Sequence, residues 1–266
     1  MKPYRLAQSL FLVACCAAEG SQLAHNKTSP DVFGWLFRKN FLIAPLVLCL
    51  LLCRASLAQD VMSPEETGMV LLNFYRQPSF DVLTNIIRSV ESDTSYRSNQ
   101  TAQLTITAFY AAAFERYPEK LGAINKLSDS LRYSKKLIQA ALRMNEKRDA
   151  ILTLDREQPH MPVMINMLCA AFLASGEPKY LKRVVSELTL CDRKDSIVVR
   201  LTGYTAKFSL SLYAREIPEV KEYLEESLGN APPALATHLR EALDLSPGQI
   251  LIQVRELAEE EQNSRR

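Results

Sequence analysis

The sequence predicts an all-α protein whose antiparallel helical hairpins stack as a short α-solenoid behind an N-terminal export segment. Three observations predict it. From residue 60 onward apolar residues recur mostly at spacings of three and four, the period of a helix with one buried face. Helix-start grammar recurs as well: Ser63-Pro64-Glu65-Glu66 has the form of a capping box with proline at the first helical position, and Ser246-Pro247-Gly248-Gln249 repeats it. Finally, Pro78, Pro118, Pro178 and Pro218 stand 40, 60 and 40 residues apart, each behind a similar aromatic-bearing segment.

The N-terminal residues 1–58 read as an export region. The first apolar stretch, Leu6 to Ala18, contains Leu12-Val13-Ala14-Cys15, which has the form of a lipoprotein cleavage box. The second, Phe41 to Cys53, follows Arg38-Lys39 and leads to Ala55-Ser56-Leu57-Ala58. A basic region, a short apolar run and small residues at 56 and 58 are the layout of a secretory signal, cut after Ala58. Arg54 ends the apolar run at 13 residues, whereas a spanning helix needs about 20. An uncleaved 41–57 segment would instead tether the protein to the membrane. A signal over 36–58 has normal proportions. The expectation is therefore that residues 1–35 precede the true start, with Val32 or Leu36 as alternative starts.

Charge follows the same division. The 266 residues carry a net +2, but residues 1–58 hold six bases and two acids, leaving 26 bases and 28 acids beyond them. A near-neutral folded part lacks the field of a general nucleic-acid binder. Only 8 glycines exclude collagen and a glycine-turned barrel.

Residues 60–266 read as one helical domain. The segment ends that precede the four prolines are Phe74-Tyr75-Arg76-Gln77, Phe114-Glu115-Arg116-Tyr117, Phe172 to Glu177, and Tyr213 to Ile217. Proline breaks a helix interior but suits a first turn, so each one marks where a helix stops and its antiparallel partner begins. Ile124, Val184 and Leu224 each fall six residues after a proline, on the face that would meet the preceding helix. The 60-residue gap holds an additional hairpin, about Ser130–Asn145 and Glu146–Glu157, closed by Gln158-Pro159-His160-Met161-Pro162. In Ser196-Ile197-Val198-Val199 the β-branched run suggests a strand, but the following Thr202, Ala206, Leu210 spacing favours a helix.

The run Met167-Leu168-Cys169-Ala170-Ala171-Phe172-Leu173-Ala174-Ser175-Gly176-Glu177-Pro178-Lys179-Tyr180, together with Ala206 to Leu212 and Val220, resembles a segment of uncharacterised bacterial exported proteins. Members carry a signal followed by tetratricopeptide-like hairpins, so the resemblance implies fold and export, without an activity. It covers mainly residues 160–228. The tetratricopeptide consensus itself is not met: the only tryptophan, Trp35, is outside the domain, and the spacing is 40 residues against about 34.

Chemistry-bearing motifs are few. There is no G-x-S-x-G, Gly-rich phosphate loop or H-E-x-x-H, and no CxxC, so no cofactor and no metal is expected. His160 and His238 read as structural, and Glu225-Glu226 and Glu259-Glu260-Glu261 as solvated faces. Cys169 and Cys191 differ by about 12 Å in height along their hairpin. A disulfide needs Cα atoms within about 7 Å, so free thiols are expected. One surface feature stands out. On a continuous helix from Ser130, Arg132, Lys136, Arg143 and Lys147 fall within about 60° of arc at about 100° per residue, opposite the apolar side. The stripe suits a protein or anionic envelope component; its alternative is an ordinary solvated face. The sequence thus points to an exported, periplasmic or secreted, non-catalytic interaction protein. A helical hydrolase acting on envelope material and a membrane-anchored scaffold remain the alternatives.

Overall fold

The computed structural model describes residues 62–146, 150–153 and 161–264. The segment expected to direct export, Lys147 and His160 lie outside them. All regular secondary structure among the described residues is helical, with no strand among them. In chain order the helices are α1 (Pro64–Asn73), α2 (Phe80–Ser92), the single turn α3 (Ser95–Ser98), α4 (Gln100–Glu115), α5 (Leu121–Asp129) and α6 (Ser134–Asn145). There follow the single turn α7 (Ala150–Thr153), α8 (Pro162–Ser175), α9 (Pro178–Ser186), α10 (Ile197–Glu216), α11 (Pro218–Gly229), α12 (Pro233–Asp244) and α13 (Pro247–Ser264). Two 3₁₀ segments, Pro118–Lys120 and Glu187–Asp192, join helices.

Local chemistry sets these boundaries. The Ser63 hydroxyl accepts the Glu66 N–H at 3.2 Å and the Glu66 carboxylate accepts the Ser63 N–H at 2.8 Å, so the capping box forms. Ser246 and Gln249 make the same exchange at 3.3 and 2.8 Å. Pro178 and Pro218 open α9 and α11, as the spacing predicts. Pro78 differs: α2 starts at Phe80, because Ser79 takes the cap position and accepts the Val82 N–H at 3.1 Å. Gly176 ends α8 at φ 73°, a left-handed conformation that suits glycine, with the Tyr75 ring against it.

The helix expected from Ser130 starts four residues later, at Ser134. The cause is tertiary. The Glu91 carboxylate, at the end of α2, accepts the N–H groups of Arg132, Tyr133 and Ser134 at 2.7–3.1 Å. Helix starts leave such donors free, and here a distant carboxylate takes them. Burial pushes the Glu91 carboxyl up, but these three donors win and hold it below its ordinary value.

The core lies along α4, α8 and α10. α4 and α8 are apolar nearly all round, so each is covered on several sides. Packing runs from α6 to α4, from α4 to α8, from α8 to α10, and from α10 to α12 and α13. Ile124, Val184 and Leu224 are fully buried. The C-terminal ends of α1, α4 and α8 meet. Arg116 donates to the carbonyls of Tyr75, Ala174 and Ser175 at 3.2–3.5 Å, and the Tyr75 and Phe172 rings lie 5.4 Å apart. The start of α11 joins them through Glu219. Its carboxylate accepts Arg76 Nε at 3.1 Å and the Tyr75 hydroxyl at 3.0 Å. Among the described residues no helix is long and apolar enough to cross a membrane.

Candidate functional site

Of the predicted basic stripe, Lys136 and Arg143 lie on the exposed side of α6, opposite buried Leu137, Ile138 and Ala141. Both are two turns apart on one face, as the spacing predicts. Arg132 is exposed too, but it stands in the bend held by Glu91 and follows no helical phase. Lys147 falls outside the described residues. Lys135, the neighbouring cation, pairs with Asp129 at 2.8 Å, whereas Arg132, Lys136 and Arg143 hold no acid among the described residues. α6 packs mainly on α4 and α5, with lighter contact to α2 and α7, and leaves Lys136 and Arg143 exposed.

A second assembly was not read from the sequence. Lys207 of α10 is 2% exposed, and its ammonium meets Glu241 of α12. The Tyr204 ring sits below it, 4.8 Å from Nζ to the centroid. His238, one turn before Glu241, is buried; its Nε2 lies 3.0 Å from Asp192 Oδ2 and its Nδ1 3.5 Å from Glu241 Oε2. Burial pushes the Glu241 carboxyl up, but the hydrogen bond and charge of Lys207, helped by His238, hold it below its ordinary value. Cys191, on the same 3₁₀ segment as Asp192, packs against Gly203 of α10. The signal that could have found this clasp is the position of Lys207 itself. It stands four residues after buried Gly203 and three before buried Leu210, on the covered face of α10.

The arrangement works as a clasp. Lys207 is held by Glu241, and the His238 ring by Asp192. Burial pushes both thiols, Cys169 and Cys191, up to about 12, so they are protonated at neutral pH and poor nucleophiles. They are unpaired, as their offset predicts. Among the described residues no group of three His, Cys, Asp or Glu side chains is placed to hold a metal ion.

A third feature is a cleft of about 50 Å³ where α1, α4, α8 and α10 converge. Leu71, Phe109 and Leu173 wall it, and Thr101, Asn166 and Ser209 bring polar atoms to it. No family model, no curated protein and no solved structure matches the chain.

Proposed function

We propose that the chain is an exported, non-catalytic helical-repeat protein that binds an acidic protein or an anionic envelope component through the open face of α6. The observation that carries this reading is the unpaired state of exposed Lys136 and Arg143 on α6, and of exposed Arg132 in the bend before it, while the other side of α6 is buried. Exposed cations whose side chains no carboxylate pairs with extend their field into solvent and attract an anionic partner.

The repeat part of the proposal draws on the helix ends. α1, α4 and α8 finish together, and α9 and α11 start at proline within two residues of the preceding helix. Such hairpins, laid side by side, form a short solenoid, whose exposed surface suits partner binding. The step from that architecture to binding is fold-level analogy. Export rests on the basic, apolar and small-residue order of residues 38–58.

The test replaces Arg132, Lys136, Arg143 and Lys147 with glutamine, a good helix former, and compares capture from envelope extract. Capture by the unmodified protein should fall as salt rises, and capture by the variant should be lost at low salt. Equal capture by both proteins, with unchanged melting, overturns the proposal for this face. N-terminal sequencing should find the exported protein beginning at Gln59; an intact 41–57 segment in the membrane fraction would show a tether instead.

A further inference from the structure

We infer that the cleft between α1, α4, α8 and α10 binds a short, uncharged aliphatic molecule bearing one amide or hydroxyl group. This site lies apart from the α6 face and does not depend on it. Small residues create the space: Ala102 of α4, Ala170 of α8 and Ser209 of α10 stand where longer side chains would close it. The cavity measures about 50 Å³. A water takes about 10–15 Å³ on such a measure, so the space accepts a branched group of about four heavy atoms.

The lining sets the chemistry. No carboxylate, amine, guanidinium or imidazole reaches the cleft. A charged ligand would give up its hydration there with nothing opposite to replace it. A purely apolar ligand would leave Asn166 unanswered. Asn166 is the one strongly polar side chain in the apolar run of α8 from Pro162 to Ala174. Its amide lines the cleft, is half-buried, and has no partner among the described residues. An amide in such a wall offers a donor and an acceptor to whatever enters. The Thr101 hydroxyl, on the facing helix and likewise unpartnered, offers a second contact. The apolar end of the ligand then rests on Phe109, Leu173 and Leu71.

Saturation-transfer NMR on the full chain tests this, with isovaleramide as the probe and isovalerate as its charged counterpart. Isovaleramide should receive transfer from the protein and isovalerate far less. Asn166→Leu keeps the volume and removes the hydrogen bonds. It should weaken isovaleramide about tenfold, the equivalent of about 1.4 kcal/mol, with circular dichroism unchanged. Ala170→Leu should fill the cleft and abolish transfer, and Ala102→Val, on the opposite wall, serves if the first variant does not fold. Absence of transfer to the unmodified protein, equal transfer to amide and carboxylate, or indifference to Asn166→Leu or to the filling variants each overturns the inference.

Discussion

Breaking the Lys207–Glu241 pair from its two ends should have unequal consequences. Lys207 is 2% exposed and the Glu241 side chain 34%. Glu241→Ala leaves an ammonium buried with only the Tyr204 ring face as company. Removing one partner of a buried pair costs about 3–5 kcal/mol. Water reaches the Glu241 side of this pair, so the lower end, about 3 kcal/mol, applies. Lys207→Met keeps the aliphatic volume and leaves a carboxylate that solvent and His238 can both reach. Its cost should stay near about 1 kcal/mol. At about 2–4 °C per kcal/mol for a chain of this size, Glu241→Ala should lower Tm by about 6–12 °C and Lys207→Met by about 2–4 °C. The double variant should melt closer to Lys207→Met than to Glu241→Ala, because it removes the stranded charge. Differential scanning calorimetry at neutral pH reads all three. Equal losses from the two single changes, or a larger loss from Lys207→Met, would refute the claim that the buried ammonium is the costly member.

Other outcomes follow from the same structure. Gly203→Ala should cost about 3 kcal/mol or more in chemical denaturation, because its Cβ would stand 2.5 Å from the Cys191 nitrogen and 2.8 Å from the Leu190 carbonyl carbon, backbone atoms that cannot swing aside. Gly122→Ala, with nothing within 4 Å, should instead stabilise by up to about 1 kcal/mol. Glu219 is held at about 2, chiefly by its hydrogen bond from Arg76, so its folded-state value lies below its unfolded one. The stability it adds is complete above the unfolded value of 4.5 and is lost as pH falls toward about 2. Acid titrations of native protein and Glu219→Gln should therefore differ most above pH 4.5, by less than about 1 kcal/mol for so exposed a pair, and converge near pH 2. Peptide-resolved labelling should leave Cys169 and Cys191 unmodified in the folded protein and modify both in denaturant, with no gain on prior reduction.

What could be read from the sequence was local. Ser63, Ser246, Pro178 and Pro218 act within a turn of themselves, so their neighbours announce them. The sequence pattern predicts helix at Ser130–Tyr133, where the structure has a turn, because the cause of that turn, Glu91, lies about 40 residues upstream. Only the fold brings that carboxylate to those N–H groups. Arg132 left the helical stripe for the same reason. The Lys207 clasp draws on residues 192, 207, 238 and 241, whose types are common and whose separations carry no period. Asn166 is a single polar residue in an apolar run, and its significance depends on small residues in two other helices.

The meeting of helix ends at Arg116 bears on how the chain folds and breaks. In a linear array each unit touches only its neighbours, and unfolding can fray inward from either terminus. Here the carbonyl of Tyr75 shares a guanidinium with those of Ala174 and Ser175, and Arg76 grips Glu219, 143 residues away. The first described helix is thus fastened to the middle and the latter half of the chain. Its docked form has to wait until α8 and the start of α11 are in place, so it joins late during synthesis. Once joined, it has no private route out: opening α1 means giving up contacts on α8 and α11 together. Amide exchange in α1 should then follow the exchange of α8 instead of running ahead of it.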